Sequence, residues 1–210
     1  MIFAKIDFIN LLPFHIYIKK NIHSNQLKAI IEYKKSYPSF INNKFKKRKV
    51  DSAFISSIAS RNEKNLDFGI IAKNEVLSVL LIQGIEEDDF QSQTSNALAK
   101  VLGLKGKVLI GDKALRFFHD NQNLEKYDLA KEWKNKYNLP FVFAVLCFNK
   151  NKIRLEKLTK KFNKKHIKIP QYILEQYSKR SGVSKNNILE YLKKIDYTLG
   201  IKEKRALKLF

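Results

Sequence analysis

Cysteine is nearly absent from this chain: Cys147 stands alone among 210 residues. An intrachain disulfide is therefore impossible and a cysteine metal cluster is excluded. Set in the apolar run FVFAVLCF, the thiol is expected to fill a small core position. Long apolar runs are missing as well. No stretch reaches the roughly 18 apolar residues of a membrane span, and the opening MIFAKIDFIN brings Lys5 and Asp7 too early for a secretory signal. A soluble cytoplasmic protein is expected. Glycine-rich phosphate loops are missing: GLKGKVLIGD has neither dinucleotide nor phosphate-loop spacing, and no G-x-S-x-G elbow occurs. His15, His23, His119 and His166 are scattered without an H-E-x-x-H pattern, so no metal is expected. Acidic residues are scarce, 20 against 41 Lys and Arg, which gives a formal charge of +21. A balance this basic raises nucleic acid, a membrane surface or an anionic small molecule as partners. Lysine, asparagine and isoleucine are over-used along the whole chain, however, as a compositional bias of the genome produces. With no aromatic-interleaved basic motif in view, neither nucleic acid nor membrane is the expected partner. The run KFKKRK, Lys44 to Lys49, reads as a solvated face.

What is present suffices for a core. The chain is 44% hydrophobic and 12% aromatic, which rules out disorder and fits one domain or two small lobes. The segments MIFAKIDFI, KAIIEYKK, VDSAFISS, LDFGIIAK, VLSVLLIQG, KVLIG and FVFAVLCFN are short and rich in β-branched or aromatic residues, as strands are. Between them NALAKVLGL, KALRFFHDN and YDLAKEWKNKYN space their apolar residues as helices do, with Gly103 stopping the first. Strands alternating with helices predict an α/β fold with parallel strands. After Asn149 the pattern is helical only: Leu155, Leu158 and Phe162 share one face, Pro170 opens a helix that Gly182 closes, and Ile188, Leu192 and Ile195 stripe another. Breaks near Gly84 and across Phe141 to Asn149 predict two lobes. Residues 1–83 with 145–210 make the first, discontinuous lobe, carrying a helical C-terminal tail, and residues 84–144 make the second.

Four places share one form, in which a strand ends, a small polar residue or glycine follows, and a helix begins. They are Asn10 in DFINLLPF, Ser56 and Ser57 in AFISSIAS, Thr94 and Ser95 in QSQTSNALAKVL, and Gly111 and Asp112 in VLIGDKAL. Ligands of open sheets bind outside strand ends, and helix N-termini offer N–H groups with partial positive charge, so four such ends would surround an anion. Ser, Thr, Asn and Asp are also ordinary helix caps. The TSN and SS clusters exceed what a single cap requires. Asn10 lies inside an apolar run, where a buried amide without a partner costs about 1–3 kcal/mol. His15 is close enough to Asn10 in sequence to count as a further candidate. Asp128 and Glu132, one turn apart beside Lys131 and Lys134, read as a surface ion-pair face.

In order along the chain, FINLLPF, VDSAFISS, NEVLSVLL, SQTSNALA, IGDKAL, YDLAKEWKNKYNLPFVFAV and EYLKKIDYTLG resemble the chorismate dehydratases of the futalosine route to menaquinone. The resemblance covers nearly the whole chain. It implies a periplasmic-binding-protein-like fold of two α/β lobes joined by two crossing strands, with the ligand cleft between them. It also implies a hydro-lyase that converts chorismate to 3-[(1-carboxyvinyl)oxy]benzoate plus water, with no cofactor and no metal. By motif position Asn10 is the implied catalytic residue. Ser56, Ser57, Thr94, Ser95, Gly111 and Asp112 are the implied substrate contacts. Phe8 and Gln93 depart from that family, in which a tyrosine and a basic residue are usual; Arg61 or a lysine is the implied replacement for the latter. Three other readings fit the sequence less well. The sister 1,4-dihydroxy-6-naphthoate synthases carry an S-P-C-P-N-D motif, which is absent here. A non-catalytic solute-binding protein for an anionic small molecule would carry an export signal. The effector lobe of a LysR-type regulator would follow a helix-turn-helix module.

Overall fold

In the computed structural model, which describes residues 2–33 and 35–210, the chain forms two α/β lobes. Strands β1 (Phe3–Ala4), β2 (Ser52–Ser56), β3 (Asn65–Ala72), β7 (Phe141–Phe148) and β8 (Ile195–Thr198) make one sheet in the order β1-β2-β7-β3-β8. Strands β4 (Val79–Ile82), β5 (Lys107–Ile110) and β6 (Lys126–Asp128) make the other, in the order β5-β4-β6. Helices α1 (Leu12–Asn21), α2 (Asn25–Tyr33) and α3 (Pro38–Lys46) link β1 to β2. Helices α4 (Gln93–Leu102), α5 (Gly111–Asp120) and α6 (Leu129–Tyr137) belong to the small sheet, and α7 (Lys152–Lys161), α8 (Gln171–Ser181), α9 (Lys185–Lys193) and α10 (Ile201–Leu209) form the tail. No helix among the described residues is long and apolar enough to cross a membrane.

The chain passes between the sheets twice, once before β4 and once before β7, and this accounts for the directions of those two strands. Among the described residues β1–β2 is the one parallel pair of named strands, and the remaining pairs are antiparallel. The expected parallel sheet is thus corrected. A strand returning from the other lobe enters its sheet from the opposite end, so β7 runs against β2 and β3, and β4 runs against β5 and β6. Local periodicity carries no information about that direction. Strand β4 belongs to the small sheet, so the first crossing precedes Val79 instead of falling at Gly84. We therefore place the lobe limits at 73–78 and near 140, not at 83 and 144.

The core of the first lobe is aromatic. Phe14 meets Phe54 edge-on at 5.3 Å between ring centres, and Phe162 from the tail closes on Phe14 at 5.4 Å and on Phe68 at 5.5 Å. Where the lobes meet, Trp133 of α6 is fully buried against Phe141 of β7 and Phe210 of the tail, and its indole N–H donates to the carbonyl of Pro140. Cys147 is buried in β7, as its surroundings in the sequence imply.

Three further expectations are corrected. KAIIEYKK is not a strand: Asn25–Tyr33 is helical, because Leu27, Ile30 and Ile31 stand at i, i+3 and i+4 and pack one face, with Ser24 Oγ accepting the Leu27 N–H at 3.3 Å. Lys34 in that segment, like Met1 at the head of the expected first strand, lies outside the described residues. The tail is not helical only, since Ile195–Thr198 adds to the edge of the large sheet beside β3. Asp128 is not a surface residue but a buried cap. Its Oδ1 accepts the N–H groups of Ala130 and Lys131 at the start of α6. Its Oδ2 accepts those of Val76 and Leu77 in the crossing segment at 2.8 and 2.6 Å. Burial pushes this carboxyl up, against the pull of four N–H donors. Gly103 and Gly182 end α4 and α8 in the left-handed conformation, as read from the sequence.

Candidate active site

The four polar strand ends approach one another. A cavity between the lobes is lined by Ile6, Phe8 and Asn10, by Pro38, by Ser56, by Ser78 and Val79, by Ser92 and Ser95, and by Ile110 and Gly111. Ile70, Val76, Phe143 and Ala144 complete its wall. Asn10 reaches it from a turn. Past β1 the chain stays extended as far as Phe8, so Ile6 and Phe8 face the cavity while Lys5 and Asp7 face a second, charged pocket on the far side, and Asn10, inside the turn that follows, lines the cavity as well. The single turn Ile9–Leu11 then leads into α1, with Pro13 in its first turn. The carboxamide oxygen of Asn10 is buried without a hydrogen-bond partner. A polar atom in that condition is costly unless something in the cavity pairs with it.

The hydroxyls around it are held by their own partners. Ser56 Oγ accepts from Asn42 Nδ2 at 2.7 Å, and the Ser56 N–H donates back to Asn42 Oδ1 at 3.2 Å, fixing the end of β2 to α3. Ser92 caps α4 by accepting the Ser95 N–H at 3.1 Å, with its hydroxyl 2.9 Å from that of Ser95. The helix start therefore places two hydroxyls and a positive dipole end at the cavity. Ser78 Oγ lies 2.8 Å from the Tyr191 hydroxyl, and its carbonyl accepts the Gly111 N–H at 2.8 Å. Gly111 has φ +65°, and a Cβ there would lie 2.8 Å from the Phe8 ring, so glycine is required where α5 meets the aromatic wall. Among the described residues that line the cavity, none has an ionisable side chain. The described residues also include no group of three or more His, Cys, Asp or Glu placed to hold a metal ion.

Of the residues singled out from the sequence, Asn10, Ser56, Ser95 and Gly111 line the cavity, and three do not. Ser57 turns away from it, its hydroxyl 3.4 Å from Thr94 Oγ1. Thr94 spans the lobes instead, its Oγ1 also accepting the Ile58 N–H at 3.3 Å. Asp112 points back at the first lobe, accepting the Ile9 N–H at 2.9 Å and pairing with Arg180 at 2.9 Å. Arg61 does not replace the basic residue missing at Gln93, for it donates to the Phe210 carbonyl at 2.7 Å, outside the cavity. His15 belongs to the charged pocket behind Asn10; burial, together with the nearby Lys5, holds its imidazole well below the ordinary histidine range. Ser78, Ser92 and Asn42 were missed. Ser78, one polar residue inside VLSVLL, carries the same signal that marked Asn10.

Comparison with known proteins adds a family. A family described as menaquinone biosynthesis matches residues 90–210. A protein of Campylobacter jejuni subsp. jejuni serotype O:23/36 (strain 81-176) named chorismate dehydratase is 47% identical over 215 residues, covering all of this chain and 96% of that protein. Among solved structures, a structural-genomics protein of Archaeoglobus fulgidus superposes with TM-score 0.54 at 11% identity, over 98% of this chain and 93% of that one, which is a likeness of fold alone. A Candida albicans protein described as having the generic periplasmic binding protein fold gives 0.42 at 15% identity, over 99% and 88%.

Proposed function

This chain belongs to the menaquinone-biosynthesis family as a chorismate dehydratase, and we propose that it removes water from chorismate without metal or cofactor, with Asn10 orienting the substrate. The observation that carries the residue-level reading is the unpartnered carboxamide oxygen of Asn10 in a cavity lined by neutral side chains.

Chorismate brings two carboxylates, a C4 hydroxyl and a C3 hydrogen. The ring carboxylate sits against Ser92 and Ser95 at the start of α4, where hydroxyls and helix dipole favour an anion. Removing the C3 proton pushes its electron pair through the ring diene toward that carboxylate, so the same donors stabilise the charge as it develops. The C4–O bond then breaks with its electron pair and the ring becomes aromatic. Aromatisation supplies the driving force, and the enzyme's task is chiefly orientation.

A base is still needed, and among the described residues of the lining none has an ionisable side chain. The enolpyruvyl carboxylate of the substrate itself takes the C3 proton, and that proton joins the departing hydroxyl as water. Asn10 fits between the two groups, since its amide oxygen accepts from the C4 hydroxyl and its NH₂ donates to the carboxylate. Ser56 and Ser78 hold the remaining oxygens.

The test is to incubate purified protein with chorismate in a chelator and follow products by mass spectrometry. Loss of one water, giving 3-[(1-carboxyvinyl)oxy]benzoate, is expected. Retained binding without water loss would favour a solute-binding protein, and activity abolished by the chelator would overturn cofactor independence.

A further inference from the structure

Three side chains pin the backbone around Asn10 from outside the cavity, and one of them belongs to the other lobe. Tyr197 in β8 donates to the Asn10 carbonyl at 2.6 Å. Asp112, at the start of α5 in the second lobe, takes the neighbouring Ile9 N–H on Oδ1. Arg180, near the end of α8, bridges the two lobes. Its Nη1 is 2.8 Å from Asp7 Oδ2, and its Nη2 donates to Asp112 Oδ2 at 2.9 Å and to the Asp7 carbonyl at 3.1 Å. The guanidinium carbon lies over the Tyr177 ring, 4.3 Å from its centre, which adds a third contact to the head group. One arginine thus holds both the start of the Asp7–Asn10 segment and the carboxylate that grips its middle.

We propose that the Arg180–Asp112 pair is the positioning device of the dehydration: it ties closure of the second lobe to the orientation of the Asn10 carboxamide. The inference rests on the reading of Asn10 given above. Neither Arg180 nor Asp112 side chain need touch chorismate. When the lobes part, Asp112 leaves both Ile9 and Arg180, so the segment loses the one of its three fixings that comes from the other lobe, and Arg180 keeps Asp7 but loses the partner that holds it in place. Asn10 is then aligned only in the closed cleft, where water is excluded. A shift of about 1 Å in a positioned group costs on the order of 100-fold in rate.

Arg180→Ala separates this from a merely structural role. Expected are a kcat reduced at least about tenfold, a KM within about threefold of the parent, partial recovery in Arg180→Lys, and no further loss when Arg180→Ala is added to Asn10→Ala, because the two act as one unit. An unchanged kcat, a defect confined to KM, or effects that add in full onto Asn10→Ala would each overturn it. Arg180 is partly exposed, and Asp112→Asn tests the same pair while keeping an acceptor for Ile9, should the alanine variant melt early. A parent protein that leaves chorismate unconsumed would instead overturn the functional reading on which this one stands.

Discussion

The Tyr197 hydroxyl donates to the main-chain carbonyl of Asn10 at 2.6 Å, while the side-chain oxygen of Asn10 is left buried and unpartnered in the cavity. The backbone is anchored and the amide is available, which is the arrangement of a working group rather than a cap. Asn10→Ala is therefore expected to lower kcat by roughly 10²–10³, the usual effect of deleting one preorganised polar group. Its melting temperature should stay within a degree or two or rise, because removing an unpaired buried atom relieves a cost. Steady-state kinetics and a thermal melt decide it; a large loss of stability with normal turnover would return Asn10 to a structural role.

The serine pair divides by direction. Ser56 lines the cavity and Ser57 bonds across to Thr94, so Ser56→Ala is expected to raise KM several-fold, while Ser57→Ala leaves KM nearly unchanged and costs about 0.5–1.5 kcal/mol of stability. The opposite ranking in a chorismate titration would show that the serines exchange places in the liganded protein.

How far the sequence reaches is visible in these same residues. Asn10 and Ser56 were legible because a lone polar residue at a strand end breaks an apolar pattern, a local signal. Asp112 was equally legible as a polar strand end, yet its partners, Ile9 and Arg180, lie 103 and 68 positions away, and no local pattern reports contacts of that range. Thr94 and Ser95 were read as a pair, whereas the cap is Ser92, and the intervening turn sends Thr94 to the other lobe. Two lobes and two crossings were readable from changes in composition; the antiparallel entry of β4 and β7 was not, because strand direction depends on where a chain returns from. Strand β8 escaped for the same reason: four residues between two helices acquire a strand's character from the free edge of β3.

Gly111 couples the start of α5 to the wall of the cavity. An alanine there combines φ +65° with a Cβ 2.8 Å from the Phe8 ring, a strain of about 1–3 kcal/mol. The ring is the softer partner and yields toward the cavity it lines. Gly111→Ala is thus expected to lower the melting temperature and also to raise KM, and pairing it with Phe8→Leu should restore part of the affinity. A stability loss with unaltered KM would show that the backbone of α5 moves in place of the ring.

Because the described lining has no ionisable side chain and substrate carboxylates titrate near pH 4, kcat should be flat between about pH 6 and 9. A bell-shaped profile centred in that range would point to a protein acid or base and sink the substrate-assisted mechanism.

Stability, unlike turnover, should depend on pH below about 6.5, and His15 is the reason. Its ring is buried, both ring nitrogens lack partners, and burial followed by the charge of Lys5 holds its pKa well below 6.5. In the unfolded chain the imidazole titrates near its ordinary value. As pH falls below about 6.5 the unfolded state takes up a proton that the folded state refuses, so the free energy of unfolding declines by up to about 1.4 kcal/mol per pH unit until the depressed folded pKa is reached. Above that range both states are neutral at this site and the contribution is flat. His15→Leu removes the titrating group and two unpaired polar atoms together. It is expected to leave chorismate turnover at about pH 7.5 unchanged, to raise stability, and to gain on the parent most at about pH 5.5 in urea titrations. Parallel pH dependences for the two proteins would mean that the imidazole finds a proton partner inside the folded state, and lost turnover would bring the charged pocket behind Asn10 into the catalytic apparatus.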